Sequence, residues 1–248
     1  MRTCCTLKQV QELIGFLQFC MQVIPHSRTF IRGLINFATT FKCNFTLRHI
    51  PAYAQSDILW WLGYAQSWNG VQILAKPWPT LHVYTDASGL KGLGSIFEDE
   101  WFSCRYPHKF RSRDIHFKEI YAVMQAILRW GHHWEGCHIN FHIDNTAIVS
   151  ALSSGTIWNS QVMNILRSIV MLAARMGFSY SSIWIPSIHN LLTHTAFRFE
   201  YAWLFQMAPS RKPVCRSPSY MVSNVRSPIS MSGLLSVAWP HRLDPIDL

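Results

Sequence analysis

"LHVYTDASGLKGLGSIF", residues 81–97, decides the fold. Alternation from Leu81 to Thr85 reads as a strand, and a second strand, "LGSIF", follows after a short glycine-spaced turn. Between them Asp86 sets an ionised side chain at the end of a run that otherwise reads as buried. The chain has 248 residues but only 13 Asp and Glu, so an acid in that position needs a reason. Working outward, "EWFSCRY" completes a three-strand meander, with "EDE" at 98–100 predicting a solvated hairpin turn. A helix follows in "FKEIYAVMQAILRWGHHW", with Ile120, Val123, Met124, Ile127 and Leu128 on one face. Next come a strand "HINFHID", a helix from "NTAIVSAL", a longer helix "SQVMNILRSIVMLAARMG", a strand "FSYSSIWIP" and a last helical stretch "LLTHTAFRFEYAWLF". The order βββ-α-β-α-α-β-α over 81–205 predicts an α/β layer, with helices packed on a mixed sheet.

Upstream, the period changes. "TLKQVQELIGFLQFCMQVI" places Val10, Leu13, Ile14, Leu17 and Met21 on one helical face, and Pro25 ends it. "SRTFIRGLINFATTF" predicts a second helix with Ser27 as its N-cap, and "QSDILWWLGYAQSW" a third capped by Ser56 or Asp57. The helical spacing of Trp60, Trp61 and Trp68 favours core packing over a base-stacking platform. "AKPWPT" reads as a linker. The Ser- and Pro-rich basic segment 206–248 lacks periodicity and is expected to be disordered.

Bulk composition narrows the function classes. Hydrophobic residues make up 49%, enough for a sizeable core. A formal charge of +9 favours a polyanionic partner such as nucleic acid. Seven cysteines with no CxxC pair, and no secretory signal, fit reduced thiols inside the cell, in cytoplasm or nucleus. The longest apolar run, "LIGFLQFCMQVI", is too short for a bilayer span, so no membrane partner is expected.

Most acids lie in turns, at helix starts or near the C-terminus. Asp86 and Asp144 instead end strands, and Glu119 lies early in the helix after the meander. Strand ends place side chains on the rim of an α/β sheet, where ligands gather. Three carboxylates meeting there stay ionised only when a cation neutralises them, and hard oxygen ligands suit Mg²⁺ or Mn²⁺. Each acid also has a plainer reading. Asp86 precedes a hairpin, and either Asp144 or Asn145 makes an ordinary N-cap.

"YTDASGLKGLGSIF", "HFKEIYAVMQAIL", "HIDNTAIVSAL" and "WIPSIHNLLTHTAFR" together resemble the ribonuclease H domain of retroelement reverse transcriptases, DIRS-like most closely and gypsy-like next. "LQFCMQVIPHSRTFIRGLI" and "DILWWLGYAQSWNGV" resemble the helical connection that precedes it in those elements. The resemblance implies a helical connection region over 1–75 and, over 80–205, a ribonuclease H-like mixed sheet flanked by helices. It implies metal-dependent cleavage of the RNA strand of an RNA–DNA hybrid, using two ions held by Asp86, Glu119 and Asp144. The family's fourth acid falls in a pattern N-x-x-A-D-x-L-S-R, which here reads "NLLTHTAFR" from Asn190, with His194 at the acid's position. Cleavage is therefore expected to be weakened. The alternative is a relic or domesticated module that holds duplex without cutting it. Ser88, Gly92, Gly94, Asn145, His189 and Asn190 fall where substrate contacts are expected. No Y/F-x-D-D polymerase segment occurs, so the resemblance implies a carboxyl-terminal piece of a reverse transcriptase, with a polymerase portion as a possible separate partner.

Overall fold

The computed structural model describes residues 3–22, 24, 27–67, 78–187 and 212–215. The chain divides into two compact units at about residue 75.

In the first unit, Cys4–Cys5 (β1) pairs antiparallel with Arg48–His49 (β2), a small strand element in a region expected to be helical. Leu7–Cys20 (α1) starts in a capping box, with Thr6 accepting from the Gln9 amide while the Gln9 side chain accepts from Thr6 N–H. The expected second helix is split. A 3₁₀ turn at Ser27–Phe30 precedes Arg32–Ala38 (α2), and the Ser27 hydroxyl donates back to the Ile24 carbonyl instead of capping forward. Ala52–Ser67 (α3) begins four residues before the expected caps, directly after Pro51. Asp57 consequently lies inside α3, and its fully buried carboxylate takes another role. Its Oδ2 accepts from Gly33 N–H at 2.6 Å and Leu34 N–H at 3.3 Å, capping the α2 start from a different helix. Gly33 is required for that approach, because a Cβ there would sit 2.6 Å from the same oxygen.

Trp60 and Trp61 are core residues, as their spacing implies. Trp60 stacks on Phe30 with centroids 4.0 Å apart, and Trp61 Nε1 donates to the Phe30 carbonyl at 2.9 Å. Trp68 lies outside the described residues.

The second unit is built on a six-stranded mixed sheet. Its strands are Thr80–Ala87 (β3), Leu93–Phe97 (β4), Glu100–Cys104 (β5), His138–Ile143 (β6), Ser179–Trp184 (β7) and Lys212–Cys215 (β8), in the order β7-β6-β3-β4-β5-β8. The meander β3–β4–β5 is antiparallel, while β6 and β7 add in parallel beside β3. Ile115–Trp130 (α4) crosses from β5 to β6, and Thr146–Ser154 (α5) and Ser160–Met176 (α6) lead to β7. This is the ribonuclease H-like α/β fold, a mixed sheet flanked by helices. The "EDE" turn is exposed at Glu98 and Asp99, whereas Glu100 turns in and accepts from Trp130 Nε1 at 2.7 Å. Alternation sends Val83, Ile139, Phe141 and Ile143 to the core, each fully buried, with Phe141 packed against Trp134 beyond the end of α4.

Lys212–Cys215 falls inside the segment expected to be disordered, and for these four residues that expectation fails. They pair parallel with β5 at the sheet edge, the one place where Pro213 removes no interior ladder bond. The helical stretch expected at 191–205 and the rest of 206–248 lie outside the described residues.

Asp57→Ala is expected to cost about 2–3 kcal/mol, since it strands two buried amide donors as well as losing a helix cap. Urea denaturation followed by tryptophan fluorescence measures it; a loss under about 0.5 kcal/mol would show that the cap contributes little.

Candidate metal centre

The parallel pairing of β3 and β6 runs from Thr80 opposite His138 to Tyr84 opposite His142. Both strands therefore finish on the same rim, β3 with Asp86 and β6 with Asp144 just beyond it. Asp114 caps α4, accepting from Phe117 N–H at 2.9 Å. That fixes the helix start and turns Glu119 towards the same rim. One carboxylate oxygen from each of Asp86, Glu119 and Asp144 lies within 4.8 Å of the others.

The plainer roles open to these acids are filled by their neighbours. Asn145 is the N-cap of α5, its Oδ1 accepting from Ala147 and Ile148 N–H. Asp144 is left to face the cluster, where its Oδ2 accepts from the Ser187 hydroxyl at 2.8 Å. Ser88 Oγ closes the turn after β3 by accepting from Leu90 and Lys91 N–H, and Asp86 Oδ1 accepts from Ala87 N–H at 2.7 Å.

Electrostatics make the cluster costly by itself. Asp86 and Glu119 are only 2% and 3% exposed. At this spacing two ionised carboxylates repel by on the order of 3 kcal/mol, even at an effective dielectric of about 20. A neutral hydrogen bond returns only about 1 kcal/mol, so the Ala87 amide does not offset that repulsion. Burial, followed by the charges of Asp86 and Asp144, holds the Glu119 carboxyl well above its ordinary value. Its Oε2 is buried with no hydrogen-bond partner among the described residues. Three oxygen donors at this spacing, one of them unsatisfied, fit a hard divalent cation.

Two supporting residues were not singled out from sequence. Tyr106 donates its hydroxyl to the carbonyls of Ser88 and Gly92, at 2.8 and 2.9 Å. Burial foremost, and then the Glu119, Cys104 and Asp86 charges, push its phenol upward, so it stays a donor. Lys118 is buried beside Glu119 in sequence but points elsewhere, donating to the Gly89 carbonyl and, at 2.9 Å, to that of Arg111. Together they pin the 88–92 turn beside Asp86. The available signal was a lysine inside an otherwise apolar helix face, which must find acceptors.

Of the expected substrate contacts, Ser88 and Asn145 flank the cluster and remain partly exposed. Gly92 and Gly94 are buried in the sheet and present no surface to a duplex. A Cβ at Gly92 would run into the Cys104 carbonyl oxygen, so close strand packing is what requires glycine there. His189, Asn190 and His194 lie outside the described residues.

No protein-family model matches this chain. No curated protein matches it either. Among solved structures it is similar to RNase H1 from the halophilic archaeon Halobacterium salinarum NRC-1, at 12% identity and a TM-score of 0.37, over 48% of this chain and 98% of that one. It is also similar to a foamy viral protease-reverse transcriptase dRH in complex with double-stranded DNA, at 13% identity and a TM-score of 0.31, over 74% of this chain and 35% of that one.

The raised carboxyl has a consequence for stability. A folded value above the unfolded one means that folding retains a proton the unfolded chain releases. Metal-free stability therefore falls as pH rises from about 4.5, the ordinary value, through the raised folded value. Glu119→Gln mimics the protonated form. In chelator at neutral pH its Tm is expected to exceed that of the unaltered protein, whereas added Mg²⁺ raises only the latter's Tm. Equal Mg²⁺ shifts in both proteins would remove Glu119 from the metal centre.

Proposed function

We propose that the second unit is a ribonuclease H-type nuclease acting on the RNA strand of RNA–DNA hybrids, with activity reduced by His194. The observation that carries this reading is the meeting of three carboxylate oxygens within 4.8 Å on one sheet rim. Bound divalent ions, two in this type of chemistry, would supply Lewis-acid activation of water and charge neutralisation at the phosphate. Asp86, Glu119 and Asp144 would hold them, with Asp86 carried on β3, the strand paired on both sides.

The protein's own residues prepare that site in separable ways. Ser187 orients the Asp144 carboxylate through its hydroxyl. Tyr106 and Lys118 hold the 88–92 turn so that Asp86 keeps its place. Exposed Arg105, Lys109, Arg111 and Arg113 line the segment entering α4. The Lys118 ammonium ties that segment to the turn after Asp86, which sets positive charge beside the acidic rim, where a phosphate backbone would run. Recognition would follow A-like duplex shape and 2′-hydroxyl contacts, with little base readout. Asn145, Ser88 and Asn190 would meet the backbone, and His189 would assist product release.

Hydrolysis would join a water oxygen to phosphorus and break the bond to the 3′ oxygen, leaving a 3′ hydroxyl and a 5′ phosphate. His194 stands where a fourth acid would serve the nucleophile side. An imidazole there removes one negative charge and favours softer metals than Mg²⁺. That substitution also supports a second reading, a module of the same fold that binds duplex without cutting it.

Cleavage of a labelled hybrid in Mg²⁺ separates the two readings. The unaltered protein is expected to cut feebly, Asp86→Asn not at all, and His194→Asp about 10²–10³-fold faster. Hybrid binding should weaken steeply with salt in all three. If none of the three cuts while all bind, the module reading stands. If His194→Asp brings no gain over a protein that already cuts well, the assigned cost of His194 is wrong.

A further inference from the structure

The polar face of β3 and β6 carries a second cluster of ligating side chains, chemically unlike the first. Alternation puts His82, Tyr84 and Asp86 on one side of β3, and Asn140, His142 and Asp144 on the same side of β6. Tyr84 is opposite His142 and His82 opposite Asn140, so the two histidines are diagonal neighbours across a parallel pair. His82 Nδ1 and His142 Nε2 lie 2.9 Å apart. Tyr84 stacks on the His142 ring with centroids 4.4 Å apart and planes 12° from parallel, which fixes that imidazole. His82 is exposed and His142 half-buried, so solvent reaches the pair.

We propose that His82 and His142 form a two-imidazole site for a borderline transition-metal ion, Cu²⁺, Ni²⁺ or Zn²⁺, separate from the carboxylate centre. Neutral imidazole nitrogens select these ions over Mg²⁺. Two nitrogens bound to one tetrahedral zinc stand about 3.3 Å apart at metal–nitrogen lengths of about 2.0–2.1 Å. The observed pair is hydrogen-bonded ring to ring; an ion replaces the shared proton, and rotation of the exposed His82 ring widens the gap by a few tenths of an ångström and turns its lone pair to the ion. Water completes the coordination on the open side. Binding has a cost: with its Nε2 on the metal, His142 must carry its proton on Nδ1, which is buried without a hydrogen-bond partner among the described residues. Ligating histidines ordinarily donate that proton to an acceptor. The site is therefore an exchangeable one, weaker than a structural zinc centre.

Metal binding at the histidine pair is independent of nuclease activity. Calorimetric titration with Cu²⁺, Ni²⁺ and Zn²⁺, in excess Mg²⁺, tests it on the full chain. One ion per chain is expected, with Cu²⁺ tightest, as the general affinity order requires. His82→Ala and His142→Gln should each weaken that binding by about tenfold or more, and Asp86→Asn should leave it intact. Electron paramagnetic resonance of the Cu²⁺ complex should report two nitrogen ligands, falling to one in His82→Ala. Circular dichroism confirms that each variant is folded, and exposed His82→Ala serves where His142→Gln is not. No binding under excess Mg²⁺, binding unchanged in His82→Ala, or binding lost in Asp86→Asn would each overturn the proposal.

Discussion

Mutual repulsion among Asp86, Glu119 and Asp144 is the constraint around which the second unit is arranged. Placing like charges together at low exposure opposes folding by several kcal/mol, comparable with much of a domain's net stability. The fold tolerates this only because the surrounding sheet and helices over-determine where those side chains go. β3 is paired on both sides, to β4 and β6, so Asp86 cannot retreat without breaking two ladders. Glu119 is carried on a helix whose inward residues, among them Ile120, Val123, Ala126 and Ile127, are fully buried.

Neighbouring side chains relieve the acids of structural duties. Asn145 caps α5 and Ser88 closes the turn after β3, tasks an aspartate can perform equally well in another protein. Tyr106 and Lys118 then satisfy carbonyls of that turn. Two anions withheld from capping roles and turned towards a third are hard to explain as stabilising features. The first unit offers the opposite case. There Asp57 is equally buried, but its Oδ2 accepts from two amide donors at a helix start, and its chemistry is that of a cap.

The polar side of the sheet carries or faces donors of two kinds. Oxygen ligands gather at the rim, and imidazoles sit further back on β3 and β6. Hardness separates the two donor types, so each cluster suits a different class of cation. No helix among the described residues is long and apolar enough to cross a membrane.

What the sequence determined by itself was local. Period-two alternation marked β3 and β6, short strand-like runs marked β4, β5 and β7, the 3.6-residue period marked α4 and α6, and scarcity of acids made Asp86, Glu119 and Asp144 conspicuous. These signals come from burial along each element, which leaves a trace in neighbouring residues. The sequence did not reveal partners. Whether Asp144 or Asn145 capped α5, whether Gly92 served a ligand or a packed strand, and that Asp57 closed a helix 24 residues away were decided by tertiary structure. So were the edge pairing of Lys212–Cys215 and the meeting of His82 with His142, 60 residues apart. Such contacts depend on register and chain crossing, which bring together side chains whose sequence neighbours bear no mark of the encounter.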